Sequence, residues 1–287
     1  MKIVHTMPLL IRGELSDNDV SMVIRCFESL RLSEDCFVVL YNQGGLNNEQ
    51  VASMLRSCGV PGVVLGAGEN VGIARARQTC FEYIWEHHNE AEYISEIHVD
   101  MVFPPNWYDP LLDYLASSDE PMVSPGIVTR NGELQPIRHV TSVPDNNADL
   151  INLLKQLNRD EMVEGFVHPV IHKSSILREI GGYDTRFLQG KQGYEDDSLL
   201  LGYCYYMGTR TNWRPKCCLK SWVYHATLAQ RMTLPDKHVD FALNEQGLIL
   251  QYGAYGLKRL SNIHQNPSAF DTLLHKILPP SSLGVNK

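Results

Sequence analysis

Short β-branched runs and amphipathic stretches alternate along the first hundred or so residues, and this alternation restricts the fold more than any other feature of the chain. Lys2 to Leu10 begins apolar and ends at a turn containing Pro8, as a buried opening strand does. Ser16-Asp17-Asn18-Asp19 then offers N-cap oxygens to a helix carrying Val20, Val23, Ile24, Phe27 and Leu30 at helical spacing. Cys36 to Tyr41 is a second strand, stopped by Asn42-Gln43-Gly44-Gly45. The unit repeats with a helix over Asn48 to Cys58 and a strand over Gly62 to Gly66. A glycine-bearing turn then feeds a helix whose Ile73, Ala76, Cys80, Phe81 and Ile84 form a buried face. Tyr93 to Val99 closes the series, followed by Asp100 and Pro104-Pro105. Strands alternating with helices across short connections specify an α/β fold, with a mostly parallel central sheet, right-handed crossovers and flanking helices. Such sheets bind ligands beyond the carboxyl ends of their strands. Met7, Asn42, Asn70 and Asp100 are thereby expected along one rim.

Beyond this frame the spacing predicts a helix over Asn106 to Leu115, a strand over Pro121 to Val128 and a polar loop or hairpin over Thr129 to Asp149. A helix over Ala148 to Leu157 follows. Glu195-Asp196-Asp197 comes directly after a loop containing Gly190 and Gly193. Adjacent carboxylates raise one another's pKa, so such a cluster needs solvent, a cation or a proton-transfer task. The alternative is a helix N-terminus, where the dipole favours acids. A helix through Leu201, Cys204 and Tyr205 ends near Gly208, and a strand over Lys220 to Tyr224 ends at His225. The remainder is largely helical, with a break at Gly253 to Gly256. Near the end, Phe270, Leu273, Leu274, Ile277 and Leu278 form an amphipathic segment expected to pack on the domain, with membrane or partner contact as the alternative.

Composition closes off several classes of function. The chain has 287 residues, 44% of them hydrophobic, enough for one large or two closely packed domains. Its net charge of −8 argues against a nucleic acid as the main partner, because phosphate neutralisation needs clustered Lys and Arg. No apolar run reaches the roughly 20 residues of a membrane span, and Met1 to Leu10 reads as a strand rather than a signal peptide. Seven scattered cysteines with no C-x-x-C pair read as reduced thiols in a cytoplasmic protein.

Four segments occur in an order that resembles family 2 glycosyltransferases of the GT-A fold. They are Asn70-Val71-Gly72-Ile73-Ala74-Arg75-Ala76-Arg77-Gln78, the strand ending at Asp100, Gly181-Gly182-Tyr183-Asp184, and Glu195-Asp196. The resemblance spans about Lys2 to His225. It implies a GT-A domain over 1–228, with a nucleotide-sugar-binding half (1–128) and an acceptor-binding half (129–228), and a helical C-terminal extension over 229–287. It also implies a nucleotide-sugar donor, a divalent metal (Mn2+ or Mg2+), and inverting transfer to an acceptor hydroxyl or amine. The acceptor is then a carbohydrate, a lipid-linked molecule or a protein, with peripheral membrane contact possible in the lipid-linked case. Physically, the departing nucleoside diphosphate must be neutralised by a metal or cationic residues, and a carboxylate must take the acceptor's proton.

The resemblance also gives expected roles. His98-Val99-Asp100 stands where the family has Asp-x-Asp. Asp100 is then a metal ligand, and His98 either binds ribose or pyrophosphate, joins the metal, or is an ordinary strand-end histidine. Histidine ligation shifts preference from magnesium towards manganese. His225 matches a metal-binding histidine. Asp196 is the expected general base, with Glu195 positioning hydroxyls of acceptor or donor, and Asp197 is a helix cap. Thr6, Met7 and Pro8 border the base, Asn42 replaces a family acid, and Asn70, Gly72 and Arg77 lie near the pyrophosphate and base. Lys191 and Gln192, in a loop with a glycine at each end, are expected to close over the donor. Departures from the pattern at His98, Asn42 and Ser198 keep open a non-catalytic nucleotide-sugar-binding protein. A sugar nucleotidyltransferase is the other alternative, although a glycine- and lysine-rich phosphate loop after the first strand is missing.

Overall fold

A computed structural model describes residues 1–11, 16–208, 211–227 and 237–278. The opening alternation is realised as β1 (Ile3–Leu9), α1 (Ser16–Leu30), β2 (Val38–Asn42), α2 (Asn48–Ser57), β3 (Gly62–Leu65), α3 (Ile73–His87) and β4 (Tyr93–Glu96). Neighbouring strands in the order β3-β2-β1-β4 are all parallel. Period-two alternation sorts β1 between two cores: Ile3, Met7 and Leu9 join one apolar cluster, and Val4 joins the other. Of the expected N-cap run Ser16-Asp17-Asn18-Asp19, only the side chain of Asp19 is described, and it is buried.

The second half is mixed. It contains β5 (Met101–Val102), α4 (Asp109–Ser117), β6 (Met122–Thr129), the short strands β7 (Glu133–Gln135) and β8 (His139–Val140), α5 (Asn147–Gln156), β9 (Met162–Glu164) and β10 (Val170–Lys173). Then come α6 (Ser174–Glu179), α7 (Glu195–Tyr206), β11 (Lys216–His225), α8 (Lys237–Ile263) and α9 (Pro267–Ile277). The main strand order is β3-β2-β1-β4-β10-β6-β11-β5. β10 runs antiparallel to both β4 and β6, while β11 is parallel to β6. Residues 129–149 carry the hairpin β7-β8 hanging from β6.

Two local differences from the sequence pattern shape the site. β4 ends at Glu96 rather than Val99, because Met101 and Val102 leave to pair with the far end of β11. His98-Val99-Asp100 therefore forms the turn that joins the two halves of the sheet. β11 is longer than expected, since Cys217 and Cys218 pair with β9 and β6 before an irregularity ahead of Trp222. At Gly126 on β6 a Cβ would come within 2.6 Å of the Trp222 ring, so only glycine lets the indole lie against that strand.

The helices cover both faces. Leu111, Leu115, Leu150 and Leu154 from α4 and α5 belong to one core; Phe81, Leu201, Leu248 and Leu257 from α3, α7 and α8 belong to the other. Phe270, Leu273 and Leu274 of α9 are buried in that second core, so the terminal amphipathic segment packs on the domain. The expected break in the C-terminal helix falls at Gly253, whose φ of 61° interrupts α8. The domain boundary placed at 228 lies outside the described residues.

Candidate active site

Beneath the carboxyl ends of β1 and β4 lies a buried ion pair. Arg77, from α3, places Nε 2.8 Å from the Glu96 carboxylate, and both side chains are fully buried. Its Nη1 donates to the Thr6 carbonyl and hydroxyl, and its Nη2 donates to the Ile97 carbonyl. Glu96 also meets His172 Nε2 at 2.9 Å and accepts from the Tyr183 hydroxyl at 2.7 Å. Burial alone would push this carboxyl up, but Arg77 and the His172 hydrogen bond outweigh it and hold the pKa at about 2. The floor of the cleft is thus a fixed, charged network.

Above it, His98, Asp100 and His225 bring one ligand atom each within 4.8 Å of the others. Strand pairing accounts for the approach, because His225 is opposite Met101 and Ala226 N donates to the Asp100 carbonyl. His225 Nε2 lies 3.4 Å from Asp100 Oδ1, and the buried His225 Nδ1 has no hydrogen-bond partner. One carboxylate and two imidazoles form a donor set suited to a divalent transition metal. Arg77 Nη2 approaches His98 Nε2 at 3.2 Å. A guanidinium only donates, so Nε2 accepts and the His98 proton sits on Nδ1. His98 Nε2 can join Asp100 and His225 around a cation only by giving up that bond.

His168, which the sequence reading passed over, stands across from this cluster. Its ring contacts the His98 ring edge-on at 4.9 Å between centroids, and its Nε2 lies 3.6 Å from Asp196 Oδ1. Burial, reinforced by Arg77, lowers its pKa to about 3, so it is neutral near pH 7. It lies between β9 and β10, two strands too short for hydrophobic periodicity to reveal; a sole histidine there gave no signal.

The acids enter from α7. Tyr194, at φ 61°, turns the chain into the helix, and Glu195 is buried while Asp196 is partly exposed at the cleft. Asp197 does not cap the helix as expected: its Oδ1 meets His264 Nε2 at 2.6 Å, which ties α7 to the end of α8. The loop before α7 is held from two sides. Asn244 of α8, fully buried, accepts from Gly190 N at 2.6 Å and donates to the Gly190 and Gly193 carbonyls. Asp240 accepts from Lys191 N, and the Lys191 carbonyl accepts from Ile73 N. At Gly72 a Cβ would lie 2.7 Å from Lys191 Cα, so glycine permits this contact. The Lys191-Gln192 segment, expected to close over the donor, is here a pinned wall.

The resulting cleft encloses about 380 Å³. Of the residues expected at the site, Pro8, Asn70, His98, Val99, Asp100, Lys191, Glu195, Asp196 and His225 line it. Four others do not. Thr6 is fully buried and donates to the Ser95 carbonyl, and Met7 points into the core, because they lie before the end of β1. Asn42 is buried and braces the following turn through Gly44 N, Leu46 O and Asn48. Arg77 is fully buried in the floor and reaches the cleft only through its contact with His98. Gly72 shapes the wall without lining it, and its N–H is taken by Gln43 and Asn70.

No protein-family model matches the chain, and no curated protein matches its sequence. Solved structures do match in fold. The chain is similar to S. aureus TarS 1-349 in complex with UDP, with a TM-score of 0.56 at 12% identity over 96% of this chain and 70% of that one. The same TarS segment in complex with UDP-GlcNAc gives 0.51 at 12% identity over 96% and 87%. Full TarS matches all of this chain with a TM-score of 0.53, but this chain spans only 46% of its length. The architecture is a GT-A-like glycosyltransferase fold, and at this level of identity the likeness reaches no further than the fold.

Proposed function

We propose that the protein is an inverting glycosyltransferase of the family 2 type that moves a sugar from a nucleoside-diphosphate donor to an acceptor hydroxyl or amine. The observation that carries this reading is the convergence, on one cleft, of the Asp100-His225 pair and the Asp196 carboxylate. Asp100 and His225 are suited to hold a divalent cation, with His98 as a third ligand or, through Nδ1–H, a donor to a phosphate or ribose oxygen. When bound, Mn2+ or Mg2+ neutralises charge developing on the departing diphosphate, and the imidazole content favours manganese. Asp196 accepts the proton of the attacking acceptor at its carboxylate, beside neutral His168. Glu195 fixes sugar hydroxyls, and exposed Lys191 adds a positive charge at the mouth for the phosphates.

UDP and UDP-GlcNAc are the ligands held by the TarS structures, which makes UDP-GlcNAc the donor to test first. The acceptor is a carbohydrate, a lipid-linked molecule or a protein. None of the described helices is long and apolar enough to cross a membrane, and a lipid-linked acceptor would be met by peripheral contact. The test is release of UDP from UDP-GlcNAc in the presence of Mn2+, with a panel of saccharide acceptors. Release should fall to background with excess EDTA and return when Mn2+ is restored. Activity unaffected by EDTA would remove the metal from this reading. Binding of UDP-GlcNAc without any release of UDP would favour a non-catalytic sugar-nucleotide binder.

A further inference from the structure

The polar group in the cleft wall that most needs an explanation is the Gln192 carboxamide. Gln192 lines the cleft, is 2% exposed, and has no hydrogen-bond partner at either Oε1 or Nε2. A buried amide left without partners is disfavoured, and folded proteins rarely keep one without a reason. The backbone on both sides is tied to Asn244, to Asp240 and to Ile73, so the loop cannot relax to give the amide a partner at small cost. The chain fixes the backbone of this residue firmly and leaves its functional group unmatched.

Resting on the glycosyltransferase reading, we propose that Gln192 is a specificity-determining residue that reads the transferred sugar. Its place in the wall supports a contact with the sugar rather than the nucleotide. It lies three residues before Glu195 and four before Asp196, on the segment that leads into α7. The Asp100-His225 pair, where the β4-β5 turn meets the end of β11, marks the diphosphate end. A carboxamide presents one acceptor and one donor side by side. Phosphate oxygens accept only and would use half of it. A sugar offering a donor and an acceptor on neighbouring positions uses both, through adjacent hydroxyls or through an acetamido group. Donor sugars lacking that pairing leave the amide buried and unmet, which is how such a site discriminates.

The experiment is calorimetric titration of the wild type and Gln192→Met with UDP, UDP-GlcNAc and UDP-glucose, all with Mn2+. Methionine keeps the length of the side chain and removes both hydrogen-bonding atoms. UDP should bind the variant within about twofold of the wild type, which also shows that the variant is folded. The sugar nucleotides should bind about tenfold or more weaker. A larger loss with UDP-GlcNAc assigns the acetamido group, and equal losses assign hydroxyls common to both sugars. Gln192→Glu, which keeps an acceptor and loses the donor, should also weaken the sugar nucleotides while sparing UDP less completely, because it adds charge. Wild-type affinity of Gln192→Met for both sugar nucleotides, or an equal loss for UDP, overturns the inference alone. Failure of the wild type to bind any of the three overturns the glycosyltransferase reading and this inference with it.

Discussion

Asp196→Asn is expected to lower sugar transfer by about 10²- to 10⁴-fold while nucleotide-sugar binding stays within about twofold of the wild type. The amide preserves shape but cannot take a proton. Its effect should therefore fall on kcat and spare KM for the donor, as removal of an interaction needed only in the transition state does. The structure gives Asp196 a setting suited to the role. It lies in the first turn of α7 and stands 3.6 Å from a neutral His168 at the edge of the cleft. Steady-state kinetics with UDP-GlcNAc and a saccharide acceptor measure the result. Full activity in Asp196→Asn would move the base elsewhere, and Glu195 would be the next residue to replace.

The second large effect concerns stability. Arg77→Met should destabilise the protein by about 3–5 kcal/mol, because it leaves Glu96 buried without its cationic partner. For a chain of this size that is a fall in Tm of roughly 10 °C. Arg77 also joins Thr6, Ile97 and His98, so four groups lose a donor at once. Arg77→Lys should recover little, since an ammonium cannot reproduce the forked contact with strand ends and carboxylate together. Adding Glu96→Gln to Arg77→Met should restore part of the loss by removing the stranded charge, a coupling that a double-mutant cycle measures directly. Thermal unfolding followed by circular dichroism gives all four values. Additive losses would show that the two residues act independently, against the geometry of the pair.

The parts of the fold legible in the sequence are those whose contacts are local. The alternation through β4 could be read because each strand is followed by a helix with its own periodic face, and the parallel sense of these strands follows from the helical crossovers, whereas their order β3-β2-β1-β4 emerges only in the structure. β10 was hidden because Val170–Lys173 owes its place to long-range antiparallel pairing with β4 and β6 rather than to a strand-helix alternation. Missing β10 meant that His168, just before it, had no address. The same distinction governs the site. Asp100, His225 and Asp196 sit at element ends, where sequence position predicts rim position, and they do line one cleft. Arg77 sits in the first half of α3, where a charged residue reads as solvated or ligand-facing. Only the tertiary approach of Glu96 turns it into floor. Asn42 and Thr6 fail for a related reason, each being drawn into hydrogen bonds with neighbouring backbone. Asn244 lies about fifty residues after the loop it holds, and nothing in the pattern of α8 announces that contact.

The most direct measurement is a crystal structure grown with UDP-GlcNAc and Mn2+. The account predicts manganese bonded to the Asp100 carboxylate and the His225 imidazole, with the diphosphate beside it and the sugar facing Asp196. A nucleotide bound elsewhere on the molecule, or a metal that leaves Asp100 and His225 untouched, would contradict it.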